Sequence, residues 1–80
     1  MKARVYVSLK TTVLDPQGST IGNALRSLGH ASIVDVRQGK FFDIALNASS
    51  KSEAAEELDR ISREILSNPV IEEYRVEVLD

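Results

Sequence analysis

Eighty residues with ten Lys/Arg, twelve Asp/Glu, a net charge of −2 and no cysteine describe one small domain, spanning residues 1–80. The near-balanced charge gives no electrostatic reason to expect a nucleic acid or an anionic membrane as partner, and the missing cysteines exclude a disulfide framework or a thiolate metal site. A chain this size buries only roughly 60–65% of the surface it exposes when unfolded, so any face it leaves uncovered is open to a partner.

Residues 4–10 alternate, with Val5, Val7 and Leu9 facing one way and Arg4, Tyr6, Ser8 and Lys10 the other, as in a half-buried strand. The start, Met1-Lys2-Ala3-Arg4, runs straight into that pattern with no apolar signal region, and no run approaches the ~20 apolar residues of a membrane span. A cytoplasmic location is therefore expected. Asp15-Pro16 reads as a helix start, Asp capping and Pro at the first helical position; the alternative is a turn over 15–18 and a start at Ser19. Ile21, Ala24, Leu25 and Leu28 form one apolar stripe, and Gly29 ends the helix.

Residues 32–38 and 40–47 read as two strands joined by a tight turn at Gln38-Gly39-Lys40. Ser50-Lys51-Ser52-Glu53 has capping-box spacing. Ala54, Leu58, Ile61 and Ile65 then mark the buried stripe of a second helix, stopped at Asn68-Pro69, with Asn68 suited to a left-handed cap. A last strand runs from about Glu73 to Leu79. The order β-α-β-β-α-β predicts an α+β, ferredoxin-like fold: a four-stranded antiparallel sheet, strand order 4-1-3-2, with both helices on one face. The other face would carry Tyr6, Asp35, Arg37, Phe41, Asp43, Arg75 and Glu77. Such a face is either wet or a polar interface with another sheet.

Catalytic chemistry is not evident. His30, the one histidine, has no metal-sharing neighbour and reads as a loop residue. Gly39-Lys40 reads as a turn with a solvated lysine, and the acidic run Glu53, Glu56, Glu57, Asp59 complements a helix dipole. Tyr6 and Phe41 would stand side by side as in an RNA-binding sheet, but Asp35, Asp43 and Glu77 on the same face would repel phosphate. An ACT-like regulatory module, binding a small ligand near Gly18, is the alternative function of the same element order. An acylphosphatase reading lacks its phosphate-binding loop.

Several phrases together resemble the PurS family, the small subunit of phosphoribosylformylglycinamidine synthase. They are Val5-Tyr6-Val7-Ser8-Leu9-Lys10, Val13-Leu14-Asp15-Pro16-Gln17-Gly18, Ala24-Leu25 with Leu28-Gly29, Asp35-Val36-Arg37 with Gly39-Lys40, and Asn68-Pro69-Val70-Ile71-Glu72-Glu73-Tyr74. The resemblance covers essentially the whole chain; His30 departs from it, standing where an aromatic is expected, as does the middle of the second helix. It implies a non-catalytic, homodimeric subunit that brings a PurL synthetase and a PurQ glutaminase together and aids ammonia transfer between them. The enzyme so assembled makes formylglycinamidine ribonucleotide from formylglycinamide ribonucleotide, ATP and glutamine, in purine biosynthesis. ATP and magnesium would belong to PurL, leaving this chain without a cofactor or metal. The shared positions divide in two. Asp15, Pro16, Gln17, Gly18, Gly39, Asn68 and Pro69 are expected to be structural. Arg37, Lys40, Glu72 and Tyr74 exceed what local geometry demands and, with Tyr6 and Phe41 of the open face, are candidates for subunit contacts; Arg37 leads them, because a planar guanidinium suits bidentate pairing.

Overall fold

The computed structural model describes Met1–Leu79. Five regular elements follow in order: β1 (Lys2–Leu9), α1 (Pro16–Ser27), β2 (Gly39–Ala45), α2 (Lys51–Ile61), continued by a π-helical turn at Ser62–Leu66, and β3 (Glu72–Val78). The sheet is three-stranded and antiparallel, in the order β2-β1-β3. The expected four-stranded ferredoxin-like sheet is therefore corrected to a β-α-β-α-β arrangement, with residues 33–38 outside the sheet.

Alternation in β1 explains its central place. Ala3, Val5 and Val7 are buried on one face, where their cross-strand partners are Ile44, Phe42 and Lys40 on β2 and Val78, Val76 and Tyr74 on β3. Ala54 and Leu58 of α2 complete the fully buried core, and Ile61 and Leu66 pack at its margin. Ser50 caps α2 by accepting the Glu53 N–H at 3.1 Å, and the Glu53 carboxylate turns to the Ser49 hydroxyl rather than back to the cap.

The expected stripe of α2 slips by one residue at its end. In the π-helical turn Ser67 N–H bonds to the Ser62 carbonyl, and the Ser67 hydroxyl donates to the same oxygen at 2.7 Å. One extra residue per turn rotates Ile65 into solvent, 74% exposed, and brings Leu66 to the core instead. The helix stop also differs from expectation, since no residue but glycine takes positive φ among the described residues. Asn68 works through its side chain: its Oδ1 accepts the Val70 N–H, and its carbonyl accepts from Ile71 and Glu72.

The missing strand has a local cause. Gly39 opens β2 with no positive φ, so the chain does not turn there. Residues 33–38 instead run, without turn or bend, alongside α1. Arg26 Nη1 donates to the Ile33 carbonyl at 3.0 Å, and the Gln38 N–H donates to Asp15 Oδ2 at 2.6 Å. A Cβ on Gly18 would lie 2.2 Å from the Val36 carbonyl oxygen, so glycine permits this close approach. α1 thus buries Gly18 and Gly22 against the segment, and its expected apolar stripe stays largely uncovered: Leu28 is 77% and Ile21 41% exposed. No α1 residue joins the core.

The helix and segment form an arm that leaves the sheet after β1 and returns at β2. Its consequence is an elongated molecule, 50 × 26 × 14 Å, with a radius of gyration of 15.9 Å. A compact domain of this length would have about 12 Å.

Candidate functional site

The base of the arm is where the separated phrases of the sequence meet. A cleft of about 280 Å³ is lined by Val7, Ser8 and Leu9 of β1, Asp15 and Gln17 at the start of α1, Gln38, Gly39 and Lys40 leading into β2, and Glu72 of β3. Helix and strand ends converge here because Asp15 caps α1 while also holding the return segment. Its Oδ1 accepts the Gly18 N–H at 2.9 Å, and its other oxygen accepts from Gln38. Pro16 sits at the first helical turn, as expected, which excludes the later start at Ser19. At the far end Gly29, at φ 99°, and His30 close a Schellman-type cap onto Arg26 and Leu25.

Asp15 is buried, 4% exposed. The Gly18 and Gln38 hydrogen bonds, helped by the charge of Arg37, outweigh burial and hold its carboxyl below the usual range. A depressed carboxyl contributes stability that is complete above the unfolded-state value and is lost as pH falls through the folded one. Stability is therefore expected to fall from about pH 4 downward as Asp15 protonates. Asp15→Asn, still able to cap Gly18 but not to accept twice from backbone, removes this part of the pH dependence. Denaturant midpoints across that range measure it.

Arg37 closes the same joint within the chain. One guanidinium nitrogen donates to the Lys10 carbonyl at 2.9 Å and the Val13 carbonyl at 2.8 Å, tying the return segment to the outgoing one. Lys40 and Glu72 face each other across the cleft, Nζ to Oε2 at 4.0 Å, and Glu72 Oε1 accepts the Asn68 N–H at 2.7 Å. Tyr74 lies apart from them, its hydroxyl donating to Asp59 Oδ1 at 2.7 Å and so joining β3 to α2. That bond to a carboxylate favours the protonated phenol and raises its pKa above the ordinary value. Pro69 stands in the exposed turn after α2, between Asn68 and Val70.

Tyr6 and Phe41 occupy the open sheet face with centroids 6.3 Å apart. They are not bare stacking platforms: Arg4 lies 4.4 Å over Phe41 and Arg75 4.1 Å over Tyr6. Asp43 and Glu77 pair with those guanidiniums at 2.7 and 3.6 Å. Asp35 and Arg37, expected on this face, belong to the arm instead. The ACT-like alternative loses its ligand loop, since the Gly18 amide is spent on Asp15. What sequence reasoning missed is the joint itself: Lys10 and Val13 contribute only carbonyls, which carry no side-chain signal.

Among the described residues no group of three or more His, Cys, Asp or Glu could hold a metal, and no helix is long and apolar enough to cross a membrane. A three-stranded sheet with one helix layer and a braced arm, with a cleft at the arm's base, defines a small α+β module. The chain belongs to the PurS family: the model described as "PurS: Phosphoribosylformylglycinamidine (FGAM) synthase" matches residues 2–80. The PurS subunit of phosphoribosylformylglycinamidine synthase from Bacillus subtilis is 43% identical over 81 residues, covering 96% of this chain and 90% of that protein. The solved structure of B. subtilis PurS superposes with a TM-score of 0.86 over 99% of this chain and 98% of that one, at 40% identity. A chain in the structure of PurLQS from Thermotoga maritima superposes with a TM-score of 0.89 at 35% identity, over 98% and 95%.

Proposed function

We propose that this chain is the small assembly subunit of a phosphoribosylformylglycinamidine synthase, joining a PurL-type synthetase to a PurQ-type glutaminase and supplying no catalytic group of its own. The observation that carries this reading is the match to PurS over nearly the full length, including the chain in the Thermotoga PurLQS assembly. In this reading the protein is a cytoplasmic homodimer, ATP and magnesium are held by the synthetase, and Lys40, Glu72, Tyr6 and Phe41 are offered to other subunits. Arg37 and Tyr74 are used within the chain, bracing the arm and α2.

Reconstitution tests it. The purified chain alone is expected to show neither glutaminase nor synthetase activity, and adding it to the two catalytic subunits restores glutamine-dependent turnover. Equal glutamine-dependent turnover without it would refute the assignment. Turnover with free ammonia, which needs no glutaminase, controls for an intact synthetase.

A further inference from the structure

The cleft at the base of the arm holds a pair of opposite charges that the fold leaves loosely joined. Lys40 on β2 and Glu72 on β3 flank the central strand on the inner face of the sheet, opposite Val7 and Leu9 respectively. Their side chains meet across β1 with Nζ 4.0 Å from Oε2, beyond hydrogen-bonding distance. No residue of α2 lines the cleft, and α1 reaches it only through its start at Asp15 and Gln17. Asp15, the other charged group there, is committed to the Gly18 and Gln38 amides. Glu72 keeps Oε2 clear of hydrogen bonds, since the Asn68 N–H takes Oε1. Val7 and Leu9 give the cleft an apolar base. The side-chain carboxamides of Gln17 and Gln38, at its rim, have no hydrogen-bond partner among the described residues.

We propose that this cleft binds a polar α-amino acid, its carboxylate on Lys40, its ammonium on Glu72 and its side-chain amide or acid among Gln17 and Gln38. The charges select that class. A lone anion at Lys40 would also face the Glu72 carboxylate, and a lone cation at Glu72 would face the Lys40 ammonium. A zwitterion answers both. Seated between them, it replaces one loose contact with two charge-assisted hydrogen bonds, the stronger kind. Size agrees: about 280 Å³ lies just below the roughly 300–1,000 Å³ of drug-sized sites and suits a small metabolite. Lys40 and Glu72 belong to the sheet, Gln17 and Gln38 to the arm, so a bound amino acid ties the two together beside the Asp15 joint. In the proposed assembly Lys40 and Glu72 also face another subunit, and that contact then differs between the filled and the empty cleft. This last consequence alone rests on the assembly role.

Calorimetric titration of the purified chain with L-glutamine tests the site, whether or not the chain supports glutamine-dependent turnover. Binding tighter than about 1 mM is expected, with slower hydrogen exchange at the Gln38 amide. Lys40→Met and Glu72→Gln are each expected to weaken it by about tenfold or more, the loss of one charge-assisted bond. Glu72→Gln retains an oxygen for the Asn68 N–H, so the turn after α2 keeps its bond. Arg75→Met removes a charge beside Tyr6 on the opposite sheet face and is expected to bind as the wild type does. Inorganic phosphate and methylammonium probe the two halves singly, and neither is expected to bind. Phosphate binding lost in Lys40→Met, or methylammonium binding lost in Glu72→Gln, without binding of L-glutamine, overturns the amino-acid assignment. No binding of any of the three at millimolar concentrations, or L-glutamine binding untouched by both substitutions, overturns the site itself.

Discussion

Gly18→Ala is expected to detach the return segment from α1 and to abolish the protein's ability to support glutamine-dependent turnover, while the sheet stays folded. An alanine inside a helix normally gains up to about 1 kcal/mol over glycine. Here the added Cβ would meet the Val36 carbonyl oxygen at 2.2 Å, Asp15 Oδ2 at 2.8 Å and the Val36 carbonyl carbon at 3.0 Å. Two of these are backbone atoms, and the third is the oxygen that holds Gln38. None can move without opening the joint, so overpacking of about 1–3 kcal/mol replaces the helical gain. Gly22→Ala is the matched comparison. Its Cβ would find only the Arg26 guanidinium at 3.4 Å and a Val36 methyl at 3.6 Å, a flexible end and an ordinary contact. Gly22→Ala is therefore expected to keep full activity on reconstitution and Gly18→Ala to lose it. Equal activity of the two would show that the arm's direction does not matter to the assembly.

The divergence between these glycines shows what was legible in the sequence. Helix caps and strand alternation are local, so Asp15-Pro16, Ser50 and the faces of β1, β2 and β3 are readable from their residues alone. Residues 32–38 have the composition of a strand, and Gly39 has that of a turn. Whether such a segment folds back or runs straight depends on the neighbour it meets. Asp15 and Gly18, some twenty positions earlier, supply one, and the bonds of Arg37 to two carbonyls lock it. The apolar stripe of α1 is legible as a stripe but its exposure is not, because periodicity reports a face and not what covers it. The π-helical turn is likewise invisible, since nothing about Ile65 and Leu66 distinguishes which of two adjacent apolar residues turns inward. The candidate site had the opposite fate: its phrases stood out in the sequence, yet only the fold brings Asp15, Lys40 and Glu72 to one cleft.

Leu58→Ala is expected to cause the largest loss of stability in the single chain. Leu58 is fully buried, in a core whose other fully buried apolar members among the described residues are Ala3, Val5, Val7 and Ala54. Two of those are alanines, so Leu58 supplies much of the apolar volume between α2 and the sheet. Truncating a buried leucine costs about 2–5 kcal/mol, the higher values where the surroundings cannot collapse into the cavity. A β-sheet held in register by ladders on both sides of β1 resists such collapse. A domain of this length has about 4–12 kcal/mol in all, so the variant should sit near the limit of folding, its melting temperature lowered by about 8–40 °C. Leu28→Ala gives the contrast. At 77% exposure in the single chain it has little to lose there, so its destabilisation is expected to be small, and a loss that grew with protein concentration would mark Leu28 as part of an assembly interface. Melting measured over a range of concentrations separates the two. A Leu58→Ala loss that vanished on dilution would mean that the core under α2 depends on the assembly rather than on the chain.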